Sequence, residues 1–346
     1  MSSSAGLDVA VIGATGAVGA VFLEVAAERD FPIGRLRLLA TERSAGRELR
    51  FRDEMITVEV TGEDTLEGAD LVFCSATAAA SRHWGPRIAE AGGVLIDDGS
   101  AFRMEPNVPL VIPEVNGDDV EWHEGIISIP NCTTTPLAMA LHALREVAPL
   151  KRVTAATYQA VSGSGTAAVE ELALQLRAYG RGGPLPAPQE YPHQIALNVL
   201  PHVDDFEEDG YTREEAKMRN ETRKILHLPE LAFSSTCVRV PTMVGHAEAV
   251  HAEFDGPAPL DALREAIEAQ DGLELLDDPA EAVYPTPLIS EGDDRTFVGR
   301  LRADSSVEHG VAFWCVTDNL RKGAATNALQ IAEELIRRGK LQARGL

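Results

Sequence analysis

A short apolar run followed by three evenly spaced glycines restricts the fold of this chain more than any other feature. Residues Leu7–Ile12 are apolar apart from Asp8, a pattern typical of a buried strand. The glycines Gly13, Gly16 and Gly19 follow in the run GATGAVG, and apolar side chains then recur at helical spacing, at Val18, Val21, Phe22 and Val25. Such a turn brings backbone amides to a helix N-terminus, where they can bind a phosphate group. The spacing is GxxGxxG and the usual dinucleotide pattern is GxGxxG, so a simple tight turn stays open as an alternative.

The first 130 residues continue this alternation of strands and helices. Further strands are predicted at residues 36–40, 70–74, 94–97, 110–112 and 126–129. Helical or turn-rich segments such as residues 81–91 separate them. Strands that alternate with helices usually pair in parallel under covering helices. The sequence therefore predicts an α/β fold whose N-terminal part is a Rossmann-like, doubly wound parallel sheet.

A second domain is predicted after residue 131. It opens with a helix that has Pro136 in its first turn, and the later runs 152–161, 236–240, 247–254 and 311–317 are rich in β-branched or alternating residues. These runs predict an α+β domain built on a mixed or antiparallel sheet. Residues 181–192 contain too many prolines and glycines for a regular element, so we expect a loop or an arm that could reach a second subunit.

The last helix is predicted at residues 319–338. Its apolar stripe consists of Ala325, Leu329, Ala332, Leu335 and Ile336. We expect this stripe to pack on the first domain. The predicted boundaries are thus residues 1–131 plus 318–346 for the first domain and residues 132–317 for the second.

Charge and composition exclude several classes of function. The 346 residues include 54 acidic and 31 basic side chains, and the formal net charge of −23 repels nucleic acid and anionic lipid. No apolar run reaches the roughly 18 to 20 residues of a membrane span, and the first residues do not resemble a secretory leader. The cysteines are too far apart in sequence for a metal site or a disulfide framework. We expect a cytoplasmic protein with no metal, nucleic acid or membrane partner.

The end of the second strand bears on the choice of cofactor. An NAD site commonly has a carboxylate there, which binds the ribose hydroxyls. Residues 41–44 are Thr, Glu, Arg and Ser, and Arg43 and Ser44 could hold a 2′-phosphate. This favours NADP, although a solvated loop explains either residue taken singly. The predicted cofactor-binding residues of the first domain are Gly13, Thr15, Gly16, Ala17, Val18, Gly19, Arg43 and Ser44.

Cys132 is the candidate nucleophile. It lies in PNCTTT, residues 130–135, between a predicted strand and the start of a predicted helix. Helix N-terminal amides stabilise a thiolate, lower its pKa and can donate to the oxyanion that forms when the thiolate attacks a carbonyl. The alternative for any cysteine is a small buried apolar side chain. We assign that alternative to Cys74, Cys237 and Cys315, which lie in apolar or sheet-like runs.

His246 is the candidate proton acceptor for a cysteine nucleophile. It follows Gly245 in a predicted turn between strand-like runs, shortly after Arg239, and a histidine in a loop can face a cleft. Taken alone, His246 could equally be a surface residue or a satisfied core group. Arg239 taken alone would be read as a salt-bridge residue.

These motifs occur together with others in one order along the chain. SAFR lies at residues 100–103, PEVN at 113–116, YQAVSG at 158–163, EEAKM at 214–218 and DNLRKG at 318–323. With GATGAVG, PNCTTT and the segment around His246, they cover nearly the whole sequence. In this ordered set the chain resembles the aspartate-semialdehyde dehydrogenase family. An ordered set is far more specific than any single motif.

The resemblance implies a role for individual residues. The implied catalytic residues are Cys132 as the acyl carrier, His246 as general acid and base, Gln159 as an orienting group, and Asn131. The implied substrate-binding residues are Arg239 for the carboxylate, Glu214 for the ammonium group, and Arg103 and Lys217 for the phosphate. Ser162, Gly163 and Asn319 would line the NADP pocket. Glu214 and Lys217 could also be only a surface pair on a helix, and Gln159 could simply satisfy backbone groups of its strand.

The implied activity is the NADPH-dependent reductive dephosphorylation of β-aspartyl phosphate through a cysteine thioester. The products would be aspartate semialdehyde and phosphate, in lysine, threonine and methionine biosynthesis. The first domain would bind NADP, and the second would carry catalysis, substrate binding and assembly into a homodimer, with a tetramer as the alternative. Two other functions stay open: an acyl reductase of the N-acetylglutamyl-phosphate or malonyl-CoA type, and a non-catalytic NADP-binding protein.

Overall fold

The computed structural model describes residues 6–344. The strands, in chain order, are β1 (Leu7–Ile12), β2 (Ile33–Ala40), β3 (Glu48–Phe51), β4 (Glu54–Val60), β5 (Leu71–Cys74), β6 (Val94–Asp97), β7 (Ile126–Ser128), β8 (Leu150–Gln159), β9 (Ala232–Arg239), β10 (His246–Phe254), β11 (Leu273–Leu275), β12 (Thr296–Ala303) and β13 (Gly310–Thr317). The α-helices are α1 (Ala17–Glu28), α2 (Glu63–Leu66), α3 (Ala78–Glu90), α4 (Pro113–Asn116), α5 (Thr134–Arg145), α6 (Thr166–Gly180), α7 (Arg213–Ile225), α8 (Leu260–Ala269), α9 (Pro287–Ser290) and α10 (Thr326–Arg337).

The elements divide between two compact units. Unit 1 is described over residues 6–130 and 324–344, and unit 2 comprises residues 131–323. The unit boundaries therefore fall at Pro130/Asn131 and Gly323/Ala324, where the sequence predicted changes at 131/132 and 317/318. None of the helices within residues 6–344 has both the length and the hydropathy needed to cross a membrane.

Unit 1 is built on a mainly parallel sheet with the strand order β3-β4-β2-β1-β5-β6-β7. Strand β1 pairs in parallel with β2 on one side and with β5 on the other, so the sheet is extended in both directions from β1. The β3–β4 hairpin adds the antiparallel edge. The predicted α/β, doubly wound sheet is confirmed, and the glycine turn after β1 lies at its switch point, where α/β proteins bind ligands.

Burial of β1 on both faces explains its continuous apolar sequence. Val9 and Val11 contribute to a core that also holds side chains of α1 and α10. Ala10 and Ile12 face the other way, into a core beneath α3 that includes Ile88. A strand with one solvated face would instead alternate apolar and polar residues.

Unit 2 contains a mixed sheet with the strand order β11-β12-β13-β10-β8-β9. The pairs β8–β9 and β11–β12 are parallel, and β10 lies antiparallel between β8 and β13. Helices α5 and α7 contact β13 and β9, respectively. The predicted α+β character of the second domain is confirmed. Residues 181–211 form neither a helix nor a named strand, which agrees with the loop predicted at 181–192.

Local sequence patterns failed at several elements. The strand predicted at residues 110–112 is wrong, because this segment contributes only a single bridge from Leu110 to Ser128 before α4 begins. The hairpin β3–β4 and the strands β11 and β12 were not predicted. The final helix was predicted to start at Asn319, but the chain first makes a π-helical turn over Arg321–Ala325, and α10 begins at Thr326. In unit 1 the Asn327 amide of α10 donates to the Val111 carbonyl at 2.8 Å.

Candidate active site

Cys132 lies directly before the first turn of α5. The N-cap of this helix is Thr133, and the Cys132 side chain is half-buried. The Asn131 side chain organises the segment because its Oδ1 accepts hydrogen bonds from Thr133 N at 2.9 Å and Thr133 Oγ1 at 2.5 Å. The Cys132 Sγ also approaches Asn131 Oδ1, at 3.9 Å. The thiol is therefore held at a helix N-terminus, which favours its thiolate form.

The other three cysteines differ from Cys132 in burial. Cys74, Cys237 and Cys315 are fully buried in strands. Burial raises the pKa of Cys74 to about 12, and the Asp97 carboxylate adds to the effect. Burial also raises the pKa of Cys237 and of Cys315. These thiols are therefore inert apolar side chains, and the half-buried Cys132 is the one suited to nucleophilic attack.

A buried carboxylate, Glu214, links the segment that contains Cys132 to the sheet. The Asn131 Nδ2 donates to both Glu214 oxygens, at 3.0 and 3.1 Å, and Gln159 Nε2 donates to Glu214 Oε1 at 2.9 Å. Lys217, three residues further along α7, lies 3.2 Å from Glu214 and 2.6 Å from Asp204. Burial acts to raise the pKa of Glu214, but Lys217, Gln159 and the other partners hold it below its ordinary value. Glu214 is therefore an ionised carboxylate inside unit 2.

His246 and Arg239 are brought together by the single residue Ala160. The Ala160 N–H donates to His246 Nδ1 at 3.0 Å, and the Ala160 carbonyl accepts from Arg239 Nη1 at 2.6 Å. Both side chains are buried, and neither His246 Nε2 nor Arg239 Nε has a hydrogen-bond partner among the described residues. Two buried donor positions without partners mark a place where a polar ligand can bind.

The His246 ring is neutral. Burial is the largest cause that lowers its pKa, the Arg239 guanidinium adds to the effect, and the Gly245 carbonyl acts weakly in the opposite direction, leaving the pKa at about 3. Because Nδ1 accepts a hydrogen bond, the ring proton of the neutral form is on Nε2.

Three of the residues expected to line the NADP pocket also lie in unit 2. Ser162 Oγ donates to Asn319 Oδ1 at 3.0 Å, and the same oxygen accepts from Gly245 N at 2.9 Å. A Cβ atom at Gly163 would lie 3.0 Å from Arg239 Nη1 and 3.1 Å from His246 Nε2. The missing side chain at position 163 therefore leaves space beside both donors.

The predicted phosphate-binding turn of unit 1 is built from close backbone approaches. Gly13 has a φ of +85°, and a Cβ there would lie 2.0 Å from the Ser75 carbonyl oxygen. A Cβ at Gly19 would lie 2.4 Å from the Gly13 oxygen, and Gly16 is the N-cap of α1. The half-buried Thr15, Ala17 and Val18 complete this turn. Amides at the start of a helix, uncovered by side chains, suit a pyrophosphate.

The other predicted ligand-binding residues of unit 1 differ in exposure. Arg43 is exposed and Ser44 is buried, in the turn after β2. Arg103 is buried, and its Nη2 donates to the Asp98 carbonyl at 2.7 Å. Of these three residues, only Arg43 is exposed to solvent.

Sequence reasoning missed several residues that shape the site in unit 2. Glu221 accepts from Asn131 N at 2.7 Å, and a Cβ at Gly323 would lie 3.0 Å from Cys132 Cβ. Glu248 is fully buried two residues beyond His246, and burial raises its pKa well above the ordinary value. The alternation of β10 could have indicated Glu248, because residues two apart on a strand share a face. The contacts of Glu221 and Gly323 carry no local signal.

Within residues 6–344, no cluster of three or more His, Cys, Asp or Glu side chains could hold a metal ion.

Comparison with known proteins gives matches over both units. A family model described as "Semialdehyde dehydrogenase, NAD binding domain" matches residues 8–123, and one described as "Semialdehyde dehydrogenase, dimerisation domain" matches residues 141–322. Aspartate-semialdehyde dehydrogenase from Aquifex aeolicus is 47% identical over 96% of this chain and 99% of its own length. The Bacillus subtilis enzyme is 42% identical over 95% of this chain and 97% of its own length.

Solved structures show the same similarity. Aspartate semialdehyde dehydrogenase II from Vibrio cholerae, complexed with ASA, superposes with a TM-score of 0.93 at 42% identity, covering 96% of this chain and 99% of that one. The Candida albicans aspartate semialdehyde dehydrogenase with NADP has a TM-score of 0.76 at 24% identity, covering 97% and 100% of the two chains. At that identity the second match supports the fold alone.

Proposed function

Because the chain belongs to the aspartate-semialdehyde dehydrogenase family, we propose that it reduces β-aspartyl phosphate to aspartate semialdehyde through a thioester on Cys132. The observation that carries this proposal is the half-buried thiol at the start of α5, tied through Asn131 to the buried network of Glu214 and Gln159. The three other cysteines are buried within strands and offer no competing nucleophile.

The first step is attack by the Cys132 thiolate on the acyl carbon. A carbon–sulfur bond forms, the carbon–oxygen bond to phosphate breaks, and phosphate leaves. The dipole of α5 stabilises the thiolate before attack. His246 presents its Nε2–H as a hydrogen-bond donor to the oxygen of the acyl group, and Gln159 helps to orient that group.

Substrate binding is assigned to the charged groups of the site. Arg239 has a buried Nε without a partner among the described residues, which suits the substrate carboxylate. The ionised Glu214 would bind the substrate ammonium group. We retain Lys217 and Arg103 as the phosphate-binding cations that the family resemblance implied.

We assign NADPH as the cofactor. When bound, it would supply the hydride that reduces the thioester. The backbone approaches at Gly13 and Gly19 leave the start of α1 uncovered, as a pyrophosphate requires. The Arg43 side chain is exposed and does not pack in a core, so it is available to contact a 2′-phosphate. Ser162, Gly163 and Asn319 are assigned to the nicotinamide end.

We also propose a homodimer formed through unit 2. The face of the sheet opposite His246 carries Tyr158 and Trp314 in contact, with ring centroids 5.2 Å apart. Tyr158 is exposed, and so are Leu288 and Ile289 of α9, large apolar side chains of the kind that subunit interfaces bury. The cytoplasm is the proposed location because the catalytic thiol must stay reduced, and the cytoplasm keeps thiols reduced.

The test is phosphate-dependent reduction of NADP with aspartate semialdehyde by the wild type and two cysteine variants. Cys132→Ala should lose at least about a thousandfold in kcat, as expected for removal of a nucleophile. Cys74→Ala removes a buried thiol and should keep nearly all activity. Turnover that survives Cys132→Ala would contradict the thioester mechanism. A wild type active only with N-acetylglutamyl or malonyl substrates would overturn the assigned acyl group.

A further inference from the structure

We propose that Asp97 is a positioning residue for Arg103, because its carboxyl group fixes the peptide whose carbonyl oxygen holds the Arg103 guanidinium. The proposal rests on the proposed function for one point, the binding of phosphate by Arg103. It adds to that function a buried residue at the end of β6 that acts through Arg103. All the residues that carry the argument belong to unit 1.

The Asp97 carboxyl group is buried and is held through one of its two oxygens. Its Oδ1 accepts hydrogen bonds from Ser81 Oγ of α3 at 2.6 Å and from Gly99 N at 3.1 Å. Its Oδ2 has no hydrogen-bond partner among the described residues. Burial raises the pKa of Asp97, and the bonds from Ser81 and Gly99 oppose that effect. Because a buried carboxyl group is costly unless it is hydrogen-bonded, the contribution of Asp97 at this place is the acceptor Oδ1.

The Gly99 N–H and the Asp98 carbonyl belong to the same peptide group. A trans peptide is planar and its N–H and C=O point in opposite directions, so a bond that fixes one also fixes the other. The Asp98 carbonyl accepts from Arg103 Nη2 at 2.7 Å. Asp98 N donates to the Cys74 carbonyl at 2.9 Å, which anchors the preceding peptide to β5. Asp97 Oδ1 therefore sets the direction of the oxygen to which the Arg103 guanidinium is bonded.

Apolar packing fixes the other end of this turn. The Phe102 side chain packs in the core beneath α3, and a Cβ atom at Gly85 would lie 3.0 Å from its ring. This packing holds the backbone at Phe102, but it does not orient the Asp98 carbonyl. Removal of Asp97 Oδ1 should therefore release the Arg103 guanidinium while the core under the turn stays packed.

The first test measures how fast phenylglyoxal modifies Arg103, with mass spectrometry of the peptides and a buffer without phosphate. Arg103 is buried, and we expect modification at least about fivefold faster in Asp97→Ala, because the loss of a buried hydrogen bond raises the population of locally open states. Asp97→Asn keeps an oxygen acceptor at the position of Oδ1 and should react at the wild-type rate.

Arg37 is the internal control for this measurement. It is equally buried, in β2, and its Nη1 donates to the carbonyls of Thr65 and Glu67, away from the turn. We expect its reaction rate to stay constant in Asp97→Ala. An unchanged rate at Arg103, or equal acceleration at both arginines, would overturn the proposal. The measurement needs no turnover, so it decides the proposal even if the proposed function fails.

The second test measures the KM for phosphate in the oxidation of aspartate semialdehyde. We expect Asp97→Ala to raise this KM about tenfold with little change in kcat or in the KM for NADP, because a displaced guanidinium loses a charge-assisted hydrogen bond to the anion. Asp97→Asn should restore the wild-type KM. A phosphate KM that is unchanged in Asp97→Ala, or a rise in every KM alike, would contradict the positioning role.

Two further variants keep this test decisive. Asp70 is a buried aspartate at the opposite end of the same sheet, where it accepts from Asp8 N at 2.8 Å, so Asp70→Ala should lower stability and leave the phosphate KM unchanged. Ser81→Ala removes only the 2.6 Å bond to Asp97 and should raise the phosphate KM about threefold, which tests the same link if Asp97→Ala does not fold. A wild type that shows no dependence on phosphate would count against the proposed function, and the reactivity of Arg103 would still decide the role of Asp97.

Discussion

The glycine turn of unit 1 and the nucleophile segment of unit 2 both lead into a helix N-terminus, but they are held in place differently. In the turn, backbone oxygens approach so closely that side chains are excluded at Gly13 and Gly19. Before α5, by contrast, the Asn131 side chain makes the contacts, with Thr133, Cys132 and Glu214. The arrangement in unit 1 depends on the absence of Cβ atoms at the two glycines. The arrangement in unit 2 depends on which polar atoms donate and which accept hydrogen bonds. The two segments should therefore be disrupted by different kinds of substitution.

Substitution of Gly13 tests the steric side of this comparison. Gly13→Ala places a methyl group 2.0 Å from the Ser75 oxygen at a φ of +85°, whereas Gly46→Ala has nearly the same φ, +82°, with open space around it. We expect a loss of about 4 kcal/mol in unfolding free energy for Gly13→Ala and about 1 kcal/mol for Gly46→Ala. Urea denaturation measures both. Equal losses would mean that backbone strain alone accounts for the glycine.

Substitution of Asn131 tests the polar side. Asn131→Asp keeps the shape of the side chain but replaces the Nδ2 donor with an oxygen that faces both Glu214 oxygens. We expect a loss of about 3 kcal/mol in stability, because two like charges would be buried against each other. The exposed Asn198, changed to Asp, is the matched control and should lose less than about 0.5 kcal/mol. Similar curves for the two variants would contradict the proposed importance of the donor.

Gly163 lies in unit 2, but a Cβ atom there would meet close neighbours, as it would at Gly13 and Gly19 of unit 1. Its substitution tests whether the exclusion of a side chain also matters in unit 2. Gly163→Ala would press a methyl group against His246 Nε2 and Arg239 Nη1. We expect kcat/KM to fall about ten- to a hundredfold, because small displacements of reacting groups are costly. Gly180→Ala, at the end of α6 with open space around it, should leave kcat/KM unchanged. An unchanged kcat/KM in Gly163→Ala would indicate that the substrate binds elsewhere.

Within any one pH unit, the pH dependence of stability provides the smallest effect. The pKa of His246 is about 3 in the folded protein and about 6.5 when unfolded, so the unfolded state binds the additional proton between these values. Wild-type stability should therefore fall as pH drops below about 6.5, by up to about 1.4 kcal/mol per pH unit from this residue. His246→Gln lacks this contribution, while Glu248 and the other buried acids are common to both proteins. A constant stability difference between the two across this range would show that the His246 pKa is not depressed.

The parts of the fold predicted from sequence are those with a local pattern. Strand β1 is buried on both faces and therefore continuously apolar, and the glycines after it are required by contacts within the same turn. The predicted strand at 110–112 failed because an apolar run of three residues fits an irregular buried segment as well as a strand. Strand β12 was missed because its second half, with Arg300 and Arg302 exposed, reads as a polar loop.

The sequence by itself determined the two domain types, the glycine turn and the candidate nucleophile, because each depends on neighbouring residues. Only the tertiary structure decided how the nucleophile is supported and which proton His246 carries. Asn131 and Glu214 are 83 residues apart, and Ala160 and His246 are 86 apart. Such contacts leave no periodic signal in the chain. The tautomer of a histidine depends on whether a distant N–H points at Nδ1, and no local pattern encodes that direction.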